Sequence, residues 1–267
     1  MTWGRVKGIL GAVIGRSRRV AWLSSLGLLV LATGPLSSCS SGTETGNPTF
    51  QAELSYTAFS SAPSQVGLSA SASAAVVESA WLDLDTVGLF RAGSCNAAQR
   101  MALSVPALGV GDHAAGNHNA TRFELNAGFY CGLDLPFVRA AASDLAGAPA
   151  VLADHSILIE GALADGTPFQ ILSSATPTVR LTADADIFAL DAAAARTLIA
   201  FDIAVWLSDL DFASAARTGD AIMISASENP DLLAQFERNL AGGVALYRDD
   251  DGDGKLDAVP VRLAHAE

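Results

Sequence analysis

The chain has 267 residues, of which 50% are hydrophobic, 7% aromatic and 16% charged. That composition excludes disorder as the main state and leaves Val, Ile, Leu and Ala to fill most of a core. Sixteen Lys and Arg oppose 28 Asp and Glu for a net charge of −12, which repels phosphate backbones and so excludes nucleic-acid binding while favouring cations.

Residues 1–38 carry Arg5, Lys7, Arg16, Arg18 and Arg19 and no acidic residue. Without them, eleven basic residues face 28 acidic ones, a net of −17. The basic stretch Met1–Arg19 leads into an apolar run, Val20–Thr33, broken only by Ser24, Ser25 and Gly27. That run falls short of the roughly 20 residues a bilayer-spanning helix needs. Gly34-Pro35 then breaks any helix and small residues follow, the pattern of a cleaved export signal.

The segment Leu36-Ser37-Ser38-Cys39 resembles a bacterial lipobox. The resemblance implies a diacylglyceryl group on the Cys39 thiol, cleavage just before it, and acylation of the new amino terminus. Several acyl chains anchor a protein durably where one is marginal. Ordinary secretion with an incidental cysteine is the alternative. Ser17-Arg18-Arg19 resembles the start of a twin-arginine signal, but Val20-Ala21-Trp22-Leu23 fits the remainder poorly, which leaves Sec export as the default. Ser40, not Asp, follows the cysteine, and by resemblance to the enterobacterial sorting rule this favours the outer membrane over the inner.

Residues 39–48 read as a flexible tether, too small and polar to bury a core. Their Thr43-Glu44-Thr45-Gly46-Asn47-Pro48 stretch is similar to one in a group of uncharacterised bacterial envelope lipoproteins.

From residue 49 to 267 the spacing predicts one domain, a two-layer antiparallel β-sandwich with one short helix near the C-terminus. Phe50, Ala52, Leu54, Tyr56 and Ala58 alternate with polar residues, as a half-buried strand requires. Ser60–Ala75 reads as a loop. Val76–Phe90 is rich in strand formers, with Gly88 as an expected bulge or bend. Met101–Asn119 carries no clear pattern. Phe123 and Leu125, then Phe129 to Phe137, read as two arms of a hairpin turning at Asn126-Ala127-Gly128.

With Cys39 lipidated, two cysteines remain in an oxidising compartment, so a Cys95–Cys131 disulfide is the economical reading and two buried thiols the alternative. Asp165-Gly166, set between alternating runs over Ser156–Leu172, is the clearest hairpin signal. Val179, Leu181 and Ala183 mark another strand. Asp191 precedes four alanines and predicts a helical turn, followed by a strand through Leu207; a continuous helix over 191–207 competes with this. Ile222 and Ile224 mark a short strand. Asn229-Pro230-Asp231 starts a helix that ends near Leu240. Strands at Val244–Arg248 and Val259–Leu263 close the chain.

Between those last strands, Asp249, Asp251 and Asp253 have Asp-x-Asp-x-Asp-Gly spacing. Alternate carboxylates in a tight loop converge on one point, and Gly254 permits the turn. The loop resembles calcium loops of EF-hands, dockerins and thrombospondin-type repeats. By that resemblance Asp249, Asp251 and Asp253 ligate Ca²⁺ through side chains, Lys255 through its carbonyl, and Asp257 directly or through water. Pro260 stands at the twelfth position, where the family supplies a bidentate acid, so the expected affinity is weak, about 10⁻⁴–10⁻³ M. A solvated acidic turn is the alternative.

The histidines match no common motif: Asp112-His113 and His118 fall in a Gly/Asn/Ala loop, and Asp154-His155-Ser156 are consecutive rather than convergent. Trp81 and Trp206 suit either a sugar platform or a core. The leading expectation is an exported, lipid-anchored envelope lipoprotein without catalytic activity, acting as a binding or structural module. Its partners are the membrane, Ca²⁺, and a protein or glycan. A carbohydrate-binding module and a hydrolase built from scattered Asp, Ser and His are the rivals.

Overall fold

The computed structural model describes residues 46–60, 75–95, 102–114, 119–145 and 147–266. The expected export signal, Cys39, residues 40–45 of the expected tether, nearly all of the expected Ser60–Ala75 loop and His118 lie outside these. Gly46–Pro48 are exposed, and the sheet begins at Thr49.

The N-terminal half supplies β1 (Thr49–Phe59), β2 (Ala75–Leu84), β3 (Val87–Arg91), β4 (Ala102–Val105), β5 (Gly109–Asp112), β6 (Asn119–Asn126) and β7 (Gly128–Pro136). The C-terminal half adds β8 (Ile157–Leu163), β9 (Pro168–Ser173), β10 (Thr178–Ala183), β11 (Phe188–Leu190) and β12 (Arg196–Asp202). It then continues through α1 (Ile203–Trp206), β13 (Arg217–Thr218), β14 (Ala221–Ile224), α2 (Pro230–Asn239), β15 (Val244–Arg248) and β16 (Arg262–Ala266).

A ten-stranded sheet runs β4-β3-β7-β10-β16-β15-β12-β1-β6, with β11 alongside β7; a six-stranded sheet runs β13-β14-β9-β8-β2-β5. Both contribute to one core, where Leu82, Ile157, Ile159 and Ile222 join Leu54, Tyr56, Leu133 and Phe201. The expected sandwich of mainly antiparallel strands is therefore present. Two pairs depart from it: β1 lies parallel to β12, and β14 parallel to β9.

The Asp165-Gly166 hairpin forms as its sequence dictates. Gly166 takes φ +82°, and the Asp165 carboxylate accepts from Thr167 N at 2.9 Å, fixing the β8–β9 register from Ile157↔Ser173 to Ala162↔Pro168. Leu158 points to the other face of β8, where Ala140, Leu152 and Leu172 cover it in a second cluster. Trp81 packs at the edge of that cluster, half-buried.

Several expectations are corrected. The arms Phe123–Leu125 and Phe129–Phe137 do not pair: β6 joins β1, whereas β7 lies between β3 and β10. Their connection is held from outside, Ala127 N donating to Pro48 O at 2.8 Å and the Tyr130 hydroxyl to Asn126 O at 2.6 Å. Gly88 is no bulge. It pairs in register with Ser104 and Asp134, a Cβ there would stand 3.1 Å from that of Ala102, and the register shift falls at Phe90/Arg91.

Met101–Asn119 contains β4 and β5. Asp191 caps only a turn, accepting from Ala193 and Ala194 N at 2.8 and 3.0 Å. The following strand stops at Asp202, which accepts from Ala204 N at 3.0 Å and opens α1, so neither a strand through Leu207 nor a helix over 191–207 exists. Asn229 precedes α2 in a left-handed conformation but does not cap it; its amide bonds instead to Ala216 N, Ala216 O and Met223 O. The last strand is Arg262–Ala266, and Val259 is 84% exposed.

Cys95 and Cys131 are disulfide-bonded, with Cα atoms 6.2 Å apart. The bridge ties the turn after β3 to β7, its neighbour in the sheet. A loop of 36 residues closed in the unfolded chain corresponds to about 3–4 kcal/mol in the chain-entropy account. Trp206 is fully buried and donates its indole N–H to Leu240 O at 2.9 Å, against Phe236 of α2. It therefore cannot serve as a sugar platform.

Candidate metal centre

The acidic loop joins β15 to β16, which are antiparallel neighbours. Asp249 follows β15 directly. Its backbone N–H donates to Arg196 O at 3.3 Å, so its side chain turns inward and is only 2% exposed. Each of its carboxylate oxygens accepts a backbone N–H, Gly252 at 2.8 Å and Gly254 at 3.1 Å. These bonds fold the loop over the carboxylate. The turn needs glycine at both places, with φ +73° at Gly252 and +69° at Gly254. Asp251 and Asp253 repeat the motif, accepting from Asp253 N at 3.1 Å and Lys255 N at 2.8 Å.

The result is that Asp249, Asp251 and Asp253 each offer an oxygen within 4.8 Å of the others. Two oxygens on one Ca²⁺ lie at most about 5 Å apart, twice the usual metal–oxygen distance. An all-oxygen set suits a hard divalent cation. Burial pushes the Asp249 carboxyl up from the ordinary range; the Gly252 and Gly254 N–H groups oppose this, and the Asp251 and Asp253 charges add to it. A cation here would reverse the balance.

The other expected ligands are less engaged. Lys255 is exposed with its ammonium 3.7 Å from Asp253 Oδ2, Asp257 is half-buried, and the twelfth position is an exposed proline. The carboxylate trio can thus hold a metal ion, without an acidic residue at the closing position.

The remaining candidates disperse. His113 is 1% exposed, packed between Tyr56 and Phe201 with ring centroids 6.1 and 5.7 Å away. Both ring nitrogens and the Tyr56 hydroxyl are buried without a hydrogen-bond partner among the described residues. Burial lowers the His113 pKa to about 4, against a smaller pull upward from Asp112. His155 lines a surface depression with Arg139 and Glu237, its Nδ1 against Ala153 O at 2.8 Å. Ser156 is fully buried, and its hydroxyl is spent on the carbonyls of Ser173 and Ala175. Asp154-His155-Ser156 form no catalytic array.

No protein-family model matches the chain, and no curated protein matches it. Among solved structures, MbnP from Methylosinus trichosporium aligns with a TM-score of 0.42 and 14% identity, covering 82% of this chain and 99% of that one. A likeness so distant carries no functional argument.

Two groupings had no signal in the sequence. Asp184 joins Arg262 and His265 across 78 and 81 residues, at 2.7 and 2.6 Å. Slight burial works against ionisation of the Asp184 carboxyl, but the hydrogen bonds from Arg262 and His265 prevail and hold it below the ordinary range. Arg262, His265 and Tyr247 border a small cavity of about 220 Å³. Beside the acidic loop, a groove of about 680 Å³ is lined by Gln51, Glu53, Arg122, Arg196 and Arg248, with Ala192–Ala195 completing its wall.

Proposed function

We propose that the chain is an exported bacterial lipoprotein, held in the outer membrane through Cys39. Its β-sandwich is a non-catalytic binding or structural module, and Ca²⁺ orders the loop between β15 and β16. The observation that carries the metal assignment is the convergence of Asp249, Asp251 and Asp253 to within 4.8 Å, with Asp249 buried at the centre. Asp249, Asp251 and Asp253 would hold the ion through their side chains and Lys255 through its carbonyl, with Asp257 closing the set directly or through water. The ion would supply charge neutralisation and a fixed loop geometry. It has the character of a structural ion, since a single loop joins two paired strands with no helix pair to reorient.

The lipid-anchor reading is supported by the order of basic stretch, apolar run, Gly34-Pro35 and Leu36–Cys39. The non-catalytic reading is supported by Ser156 and His113, which the core occupies with packing and backbone bonds. Two measurements test these readings. Cys39→Ser releases the protein from the membrane fraction and removes incorporated lipid label; an unchanged lipid-labelled band rejects the anchor. Calcium at ten times its Kd raises unfolding free energy by about 1.4 kcal/mol, roughly 3–6 °C in a domain of this size. A melting temperature indifferent to 10 mM calcium rejects the loop as a calcium site.

A further inference from the structure

We propose that the end of the ten-stranded sheet from which the chain leaves toward Cys39 docks on a lipid surface, with Phe129, Ile187, Val259 and Val261 entering the headgroup region of zwitterionic phospholipid. This goes beyond the lipid-anchor reading above and rests on it, but does not require calcium.

Six large hydrophobic side chains are exposed among the described residues: Val76, Phe129, Val151, Ile187, Val259 and Val261. Single exposed apolar residues are ordinary, whereas their gathering in one place marks a contact surface. Four of these six gather. β7, β10, β16, β15, β12 and β1 are consecutive in the ten-stranded sheet. Their pairing directions bring the start of β7, the end of β10, the start of β16, the end of β15 and the starts of β12 and β1 to one end. Phe129 is the second residue of β7 and is 60% exposed. Ile187 follows β10, and Val259 and Val261 lie between β15 and β16. The other two are elsewhere, Val76 in β2 of the six-stranded sheet and Val151 in a short turn before β8.

The tether leaves from this same end. Asn47 lies against Gly128, its Nδ2 3.4 Å from where a Cβ would stand, and Pro48 O accepts from Ala127 N at 2.8 Å. Phe129 is the next residue. Cys39 precedes Gly46 by seven residues (46 − 39). An extended chain advances at most about 3.6 Å per residue, so acyl groups on Cys39 stand within roughly 25 Å of Gly46. A domain held that close presents the tethered end to the bilayer. The anchor also makes docking intramolecular, so a small apolar surface suffices where a free protein would need a larger one.

Charge narrows the lipid. At this end Arg248, Arg262 and Lys255 are each paired with an aspartate, and Asp186 and Asp191 add exposed negative charge. An anionic headgroup is therefore disfavoured and a zwitterionic one accepted.

The test places tryptophan on this surface in the full acylated chain, reconstituted in phosphatidylcholine vesicles with and without lipid brominated on its acyl chains, in chelator throughout. Phe129→Trp and Val259→Trp each add emission that brominated lipid quenches by about half or more, as for a ring held about 5–10 Å into the headgroup boundary. Val76→Trp, on a side chain 58% exposed in the other sheet, adds emission that the lipid leaves unchanged. Melting temperatures of all three hold at the native value, since each replaced side chain is exposed. Unquenched emission from either Phe129→Trp or Val259→Trp overturns the proposal, as does equal quenching of Val76→Trp. A doubled mass in detergent that Phe129→Glu abolishes assigns the surface to a second copy and likewise overturns it. Mass spectrometry of the same samples keeps the two readings apart: a chain acylated on Cys39 with unquenched tryptophans removes the docking surface alone, and an unacylated chain removes the anchor on which it rests.

Discussion

Asp249 and His113 are both sealed from solvent, at 2% and 1% exposure, and burial disfavours the charged form of each. Their surroundings differ. Asp249 receives two backbone N–H groups and sits beside two more carboxylates at the rim of the fold. His113 packs between two aromatic rings, with neither nitrogen hydrogen-bonded among the described residues and only weaker upward pulls from Asp112 and the Tyr56 backbone. A buried group given directed donors and like-charged neighbours is prepared for an opposite charge from outside. One given only apolar walls is kept neutral. The first arrangement marks a candidate site and the second a vulnerability.

The contrast predicts opposite responses to pH. The unfolded chain takes a proton on His113 near pH 6.5, whereas the folded protein resists until about pH 4. Stability is therefore complete above pH 6.5 and declines as pH falls to about 4, by about 3 kcal/mol in all. Denaturant unfolding of His113→Leu at a series of pH values should lose most of that slope; a variant with the native slope refutes the neutral-core account.

For Asp249 the sign reverses, since its folded pKa is raised. Its contribution is present below the ordinary carboxylate range and lost as pH rises through the folded value. At pH 7 in a chelator, Asp249→Asn sheds a buried charge but keeps one accepting oxygen for the Gly252 and Gly254 N–H groups, so it should lose about 1–2 kcal/mol at most. In calcium it should forgo the gain of about 1.4 kcal/mol. Melting curves in the two buffers give both values, and a calcium gain surviving in Asp249→Asn places the ion elsewhere. The smallest effect concerns the Tyr56 hydroxyl, buried beside His113 with no partner among the described residues. Tyr56→Phe should leave stability unchanged or raise it by up to ~1 kcal/mol. A loss beyond ~1 kcal/mol in equilibrium unfolding would show that the hydroxyl has a partner and that His113 is less isolated.

Local chemistry was legible ahead of the structure. Asp165-Gly166 set its own hairpin because a tight turn demands φ > 0 and an accepting side chain. Cys95–Cys131 and the convergence of three aspartates were likewise readable, since each follows from residue type and short spacing or from elimination among few candidates. The β6–β7 hairpin was misread for a physical reason. Alternation states which face of a strand is apolar and nothing about which strand lies beside it. Arg196 illustrates the same limit. It falls at the start of β12, and only the alignment of β12 beside β15 brings it against Gly252.

By itself, then, the sequence determined the β character, the disulfide pair and the acidic loop, all properties of neighbouring residues or of composition. The tertiary structure alone decided that β1 runs parallel to β12, that Trp206 and His113 are sealed in the core, and that the Arg196 guanidinium lies against Gly252 of the loop. Those outcomes depend on contacts between residues distant in the chain, where burial and the supply of partners are set by packing.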